Sequence, residues 1–453
     1  MRTPRLSRAF VGLAALAALA CSAAAQSLRI YVIDVEQGAS TLLVSPGGHT
    51  LLVDSGKNGH GTRVRAVMMQ AGVSQIDHFV LTHYHEDHMG GIDDLITSHG
   101  VTVVNAYDRG EKNNLEPSVL TDTYGDYDTR VGHGAQQLDP GETIPLDPAM
   151  TVTCVASNNR VIGESSASVG GLEENDLSVG LRIEFGNFRY FVGGDMHSTT
   201  ENKLAARDLV LDVDLYQADH HGSHTSSSPT FIQDLKPSVV VISNGNRADY
   251  NHPRQVTLNT FASLTPSPAV FQTNKYFKGP PGGNVIDAHI ADPQTTDIDG
   301  TILITVDPST GNQVITYGST THTVPIKPRS GGGIAGGGGT GGSTGTGPSG
   351  LVIASLIPSP IGNDALLESV TLLNKGTTTI PLTGWALRDA DGNEMPLSGL
   401  IFGGQTLSFP RNNAAITLNN GGDTVTLFAP GNQPRDSFTY TGSSEGVQIT
   451  TGH

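Results

Sequence analysis

The stretch Thr82 to Gly91 reads T-H-Y-H-E-D-H-M-G-G and packs His83, His85, Asp87 and His88 into six residues. Imidazole and carboxylate are the side chains that bind zinc-like ions. The run His78 to Leu81 before them reads as a short buried strand, and Gly91 to Leu95 after them as a helix start. The four ligand types therefore sit on a strand-to-helix loop, where rigid scaffolds place chemistry. Histidines at i and i+2 of an extended segment point the same way, and an Asp-His pair just beyond can curl toward a second ion. The spacing can serve two neighbouring metals. A merely solvated acidic loop is the competing reading; four ligand types between an apolar strand and Gly-Gly are hard to obtain that way.

Other positions offer matching chemistry. Gly193-Gly194-Asp195 follows a strand, and a carboxylate there can approach closely and bridge two cations. A strand over Leu211 to Ala218 runs into Asp219-His220-His221-Gly222-Ser223, and one of the two histidines would complete a metal set while the other serves transition-state contact or proton transfer. The residues leave that choice open, with His221 favoured as ligand. Ser223, Ser226, Ser227, Asn244 and Asn246 offer neutral donors for phosphate or carbonyl oxygens. His252, in Tyr250-Asn251-His252-Pro253, is read either as a phosphate-holding or acidic group or as a turn histidine. His133, between two glycines, reads as a surface histidine, and Cys154, in a β-branched run, as a small core residue.

The elements that must position these groups are legible in outline. Strands are expected over Leu28–Val35, over a hairpin of Ser40–Val44 and Thr50–Val53 that ends in Asp54-Ser55-Gly56, and over Val101–Ala106, Val179–Phe185, Phe188–Val192 and Val239–Ile242. Helices are expected over Arg63–Ala71 and Gln255–Leu264, and a closing hairpin over Gly300–Val306 and Gln313–Tyr317. Residues from about Asp108 to Pro148 have no period and read as a long loop or subdomain over the active face.

Taken in order, these motifs resemble the metallo-β-lactamase fold, in the branch typified by the hydrolase domain of ComEC/Rec2 competence proteins. His83 to His88 resembles its H-x-H-x-D-H signature, and Asp34 to Ser40 its D-V-G-Q-G-D-A element, from which Glu36 and Ala39 depart. Asn175 and Ser178 fit the branch's Asn-x-x-Ser, where many enzymes of the fold place a metal-binding histidine; His220 to Ser223 resembles its H-H-G-S, and His252-Pro253 its G-H-P with Asn251 for glycine.

The resemblance spans roughly residues 28 to 320 and implies an α/β domain, an αββα sandwich. The expected metal ligands are His83, His85, Asp87, His88, Asp195 and His221. Asp87, His220 and His252 are the expected catalytic residues, and Asn175, Ser178, Ser223 and Asn244 the substrate-binding ones. Asp54 is expected to orient the metal loop from beneath. Two divalent ions, zinc or alternatively manganese, would acidify a shared water and neutralise charge on a substrate oxygen. Di-iron proteins of the fold usually carry Glu where this chain has His85. The implied reaction is phosphoester or phosphodiester hydrolysis, with extracellular nucleic acid as one target. The alternatives are lactone or lactam hydrolysis, and a surface-binding protein with a vestigial metal domain.

The chain has 453 residues and a formal net charge of −17, a surface that repels polyanions at long range. Arg2, Arg5 and Arg8, the apolar run Ala9–Ala20 and Ala23-Ala24-Ala25 read as a cleavable secretory signal over 1–25, implying an exported (periplasmic or extracellular) protein; Cys21 offers a rival reading as a lipid-modified cysteine. No later stretch reads as a transmembrane helix. The expected hydrolase domain covers 26–327, and a Gly/Ser/Thr-rich tether covers 328–350. Residues 351–453 carry short strands between Gly, Asn, Asp and Pro turns, a small all-β sandwich. Leu382-Thr383-Gly384-Trp385 and Leu418 to Val425 in particular resemble the lamin-tail domain, which is immunoglobulin-like. Trp385 is expected as a core anchor, and the domain as a binder of a surface or polymer.

Overall fold

A computed structural model describes residues 27–329 and 350–451, except 111, 113–114, 166–170, 246–249, 295–298, 308–309, 361–363, 365–367, 377–379, 398–399, 402–405, 412–413 and 446. The expected signal segment, nearly all of the tether and Asn246 lie outside the described residues.

Two mixed sheets stack face to face. The first runs in the order Thr320–Pro325, Asn312–Tyr317, Ile302–Asp307, Leu28–Val32, Thr41–Val44, Thr50–Val53, Gln75–Val80, Thr102–Asp108 and Gln136–Gln137. The second runs from Ile290–Asp292 through Ala269–Asn274, Val239–Ile242, Leu215–Gln217, Phe188–Val192, Gly180–Phe185 and Met150–Ser157 to Thr143–Ile144. Strand alternation builds the layers. Leu28, Ile30 and Val32 enter the core between the sheets, while Tyr31 and Ile33 face outward onto the helices Gly61–Ala71 and Gly91–Thr97. In the second sheet Val239 and Val241 face the shared core, and Val240 and Ile242 pack against Phe231 and Phe261 of the helices Pro229–Leu235 and Gln255–Ala262. The result is the expected αββα sandwich.

Several expectations need correction. The first strand ends at Val32, because the chain turns from Asp34 and Glu36 takes φ 55°. The strand expected from Leu211 begins only at Leu215, since Asp212 is left-handed at φ 58°. Of the two readings of Asp108–Pro148, loop or subdomain, the structure shows the second. It contains a helix, Asp122–Arg130, capped by Thr121, whose hydroxyl accepts from Tyr124 N, and two-residue strands that join each sheet. Its buried anchor Tyr127 donates to Asp108 Oδ2 at 2.8 Å, a long-range contact that periodicity does not reveal. Helices Ser198–Ala205 and Pro229–Leu235, and strands Ala269–Asn274 and Thr320–Pro325, also went unread.

The C-terminal region forms two four-stranded sheets and a two-stranded pair among the described residues. Trp385 is 6 % exposed and packs in one core with Leu387, Val425 and Leu427. Cys154 is buried and free in the other domain, and His133 is exposed.

Candidate metal centre

The site loops all leave the same edge of the two sheets, at the C-terminal ends of Thr50–Val53, Gln75–Val80, Phe188–Val192, Leu215–Gln217 and Val239–Ile242. Asp54 lies under the His83–His88 loop. Its Oδ1 accepts from Thr82 N at 2.8 Å, and its Oδ2 from Thr82 Oγ1 at 2.9 Å and His88 Nδ1 at 2.8 Å. The Thr82 hydroxyl proton goes to Asp54, so Thr82 Oγ1 accepts from His83 Nδ1 at 3.1 Å. In the neutral imidazoles this network assigns the proton to Nδ1 on both His83 and His88, so that Nε2 is the atom each would offer to a cation. His221 is fixed the same way, its Nδ1 donating to Ser243 O at 2.9 Å.

The Nε2 atoms converge on Asp195. Its Oδ1 lies 3.2 Å from His88 Nε2 and 3.5 Å from His221 Nε2, and its Oδ2 lies 3.7 Å from His220 Nε2 and 4.0 Å from His83 Nε2. Asp87 Oδ2 is 3.4 Å from His221 Nε2, and His85 Nδ1 is 3.0 Å from His83 Nε2. Two groups have cation-holding geometry: His83, His88 and Asp195, and Asp87, His88 and His221. His221 thus falls in the Asp87 group, and His220 stands on the Oδ2 side of Asp195. Both histidines are left-handed, at φ 52° and 54°, a strain of about 1–3 kcal/mol each that is typical of functional turns. Gly194 lets the Asp195 loop in, since a Cβ there would lie 2.5 Å from Thr82 Oγ1.

The donor set fits divalent cations. His88 Nε2 and His221 Nε2 are buried and lack hydrogen-bond partners. Burial opposes ionisation of Asp195, yet His221, His88 and His220 hold its carboxyl well below the usual range. Burial likewise opposes ionisation of Asp87, and the adjoining His221 and His88 bring it to about 2. Burial followed by the neighbouring His88 and His85 keeps His83 well below its ordinary value. Burial also takes His220 down to about 4, and burial with His221 and His220 takes His252 to about 3. These three imidazoles are neutral near pH 7; His88 and His221 shift the other way, since against the opposing effect of burial Asp195 with Asp54 raises His88 and Asp195 with Asp87 raises His221, a proton each that a bound cation would displace.

A cavity of about 370 Å3 opens over the cluster, with Asp87, Asp195, His220, His221 and His252 in its wall together with Asn175. Among the other expected substrate residues, Ser178 is buried with an unpartnered hydroxyl, and Ser223 Oγ accepts from Thr225 Oγ1 at 3.0 Å. Asn244 points away, its Nδ2 donating to Asn274 O at 2.9 Å. None of these three is in the cavity wall among the described residues. Sequence reasoning missed Gln37, Ser118 and Tyr250, which are. It also missed His197, whose ring stacks on His220 at 5.4 Å and whose Nδ1 lies 3.4 Å from Asp176 Oδ1. Its place two residues after Asp195 was the available signal.

Two deeper contacts brace the site. Glu174 accepts from Arg109 through Nε and Nη2, both at 2.7 Å, and from Tyr84 N at 2.8 Å, between His83 and His85. Behind the His220–His221 turn, Glu201 accepts from Ser227 N at 2.5 Å and Ser228 N at 2.9 Å. Burial pushes Glu201 up to about 7, and burial beside Glu201 pushes Asp219 well above the carboxylate range.

Comparison with known proteins agrees with this architecture. Residues 49–242 match the beta-lactamase superfamily domain, and residues 344–442 match the lamin tail domain. The chain therefore carries a domain of the metallo-β-lactamase fold followed by an immunoglobulin-like lamin tail domain. Its first domain is similar to parts of several competence and recombination proteins. ComE operon protein 3 of Bacillus subtilis (strain 168) is 23 % identical over 247 residues, covering 51 % of this chain and 30 % of the relative. Competence protein ComA of Neisseria gonorrhoeae is 26 % identical over 238 residues, covering 51 % and 29 %. Recombination protein 2 of Haemophilus influenzae is 25 % identical over 232 residues, covering 50 % and 25 %. The chain thus spans less than a third of the length of these relatives. Among solved structures, a diphosphatase from the PhnP family is 16 % identical with a TM-score of 0.32, covering 53 % of this chain and 94 % of that one.

Proposed function

We propose that this chain is an exported hydrolase that holds two divalent ions, zinc or manganese, and cleaves phosphodiesters, while its lamin tail domain delivers it to a surface or polymer. The observation that carries the reading is Asp195, whose two carboxylate oxygens each face histidine Nε2 atoms, two of them buried without partners. His83 and Asp195, with His85 beside them, would hold one ion, and Asp87, His88 and His221 the other, while His220, on the Oδ2 side of Asp195, is left for contact with substrate. Bound ions would supply Lewis acidity and an acidified water.

The chain's own residues supply the rest. Asp54 and Thr82 fix the ring orientations. Asp87, ionised across the neutral range, can accept a hydrogen bond from the attacking water. His252 presents a neutral imidazole with an unpartnered Nδ1 at the cavity wall, able to exchange a hydrogen bond with the leaving oxygen. Asn175 Nδ2, 3.5 Å from His220 Nε2, offers a neutral donor to a phosphoryl oxygen. Relatives named for competence and recombination support a nucleic-acid backbone as substrate. The secretory-signal reading of 1–25 supports an extracellular or periplasmic location. Among the described residues no helix is long and apolar enough to cross a membrane.

The test is hydrolysis of bis(p-nitrophenyl) phosphate by the purified protein, metal-stripped and reloaded with zinc or manganese, beside Asp87→Ala. Metal-dependent turnover that the substitution abolishes is expected. Absence of turnover with two metals bound per chain would refute the phosphodiester reading and turn attention to lactones and lactams. Failure to bind metal would refute the hydrolase.

A further inference from the structure

Gln37 is 2 % exposed, and neither its Nε2 nor its Oε1 has a hydrogen-bond partner. A buried primary amide with both ends unpaired destabilises a fold, because water would have satisfied it in the unfolded chain. Yet this side chain belongs to the wall of the cavity over the metal cluster, alongside Asp87, Asp195, His221 and His252.

Its backbone is clamped from two sides. On one, Ala39 N donates to Asp87 O at 3.1 Å, tying the turn to the metal loop. On the other, Ser243 Oγ donates to Gly38 O at 2.8 Å, and a Cβ on Gly245 would come within 2.3 Å of Gln37 N, so only glycine permits that approach. Glu36, left-handed at φ 55°, completes the turn with its amide on Asp34 Oδ1 at 2.9 Å and its carboxylate 3.2 Å from Arg63 Nη2. The amide is therefore held at low entropic cost beside the reacting centre.

Among the described residues of the cavity wall, none is Lys or Arg. Gln37 is one of the neutral donors that these described residues offer to an anionic substrate. We infer that Gln37 is a substrate-binding residue whose Nε2–H donates to a non-bridging oxygen of the phosphoryl group. The inference rests on the phosphoester reading above. It assigns a fixed donor to a turn not previously placed in the site.

The experiment compares the full chain with Gln37→Met, which keeps length and removes the donor, and Gln37→Ala. Bound metal per chain, affinity for inorganic phosphate by calorimetry, and kcat/KM for bis(p-nitrophenyl) phosphate are measured for each. Expected are unchanged metal content and a loss of roughly 10- to 100-fold in phosphate affinity and kcat/KM, the range for a hydrogen bond to a charged group. Wild-type phosphate affinity in both variants would overturn the inference, as would a parallel loss of metal or a wild-type protein that does not bind phosphate. A wild type that binds phosphate without turnover, and loses that binding in the variants, would overturn the hydrolase and uphold the role of Gln37. If Gln37→Ala fails to fold, Gln37→Met decides alone.

Discussion

Replacing Glu174 with glutamine removes one charge from the base of the metal loop and nearly nothing else. Arg109 and Glu174 have side-chain exposures of 0 % and 1 %. Glu174 takes two 2.7 Å bonds from the guanidinium and a third from Tyr84 N, and Arg109 also lies over the Tyr84 ring at 4.4 Å. After Glu174→Gln the guanidinium remains buried without its counter-charge, at a cost of about 3–5 kcal/mol. Against a total stability of roughly 5–15 kcal/mol this is a large fraction, and it lowers the hydrolase-domain melting temperature by on the order of 10 °C. The decisive variant is Arg109→Met with Glu174→Gln, which removes both charges and keeps a neutral acceptor for Tyr84 N. It should recover roughly 2 kcal/mol or more relative to the sum of the single variants. The assay is calorimetric and urea unfolding of the four proteins. A single-variant loss below about 1 kcal/mol, or additive losses in the double, would refute the assignment of an energetically coupled buried pair.

Asp54→Asn should weaken metal binding by roughly 10- to 100-fold while the ligands themselves stay intact, as read by competition with a chromophoric chelator; unchanged affinity would show that Asp54 does not orient His88. Leu387→Ala should destabilise the lamin tail domain by about 2–5 kcal/mol, followed by the fluorescence of Trp385. That residue is the chain's only tryptophan, so the hydrolase transition, followed by calorimetry, should not move. Glu201, ordinarily near 4.5, is held at about 7, so the folded chain binds more protons than the unfolded chain between those values. Its contribution is fully present below pH 4.5 and is lost as pH rises through about 7. Glu201→Gln should therefore flatten the decline of the urea midpoint across that window, and an unchanged slope would show that no proton is held there.

The metal loop was legible because its chemistry is dense and local: four ligand types in six residues need no tertiary information. The αββα layering was legible for a related reason, since alternation in Leu28–Val32 and the apolar run Val239–Ile242 encode which faces are covered. The brace around Arg109 and Glu174 was not, because its members are 65 positions apart and either residue alone reads as an ordinary surface charge. The helix Asp122–Arg130 was hidden by Gly125 and six polar or charged neighbours, its folding depending on Tyr127 reaching Asp108. Asn244 misled for the converse reason. Its place in Ser243-Asn244-Gly245 suggests a donor to substrate, but the loop turns the amide inward to Asn274 O and leaves the cavity to Gln37.

That exchange has a physical logic. A loop that must approach Gln37 N closely needs glycine at 245, and a glycine there needs its neighbour anchored. Asn244 provides the anchor through Asn274, while Asn274 Nδ2 in turn donates to Asp34 Oδ1 at 2.7 Å, at the root of the Gln37 turn. The Asp34–Ser40 turn and the Ser243–Gly245 loop, more than 200 positions apart, are therefore one mechanical unit around the cavity. Residues that look like separate substrate contacts in the sequence divide here into those that hold the wall and the amides of Gln37 and Asn175 that line it.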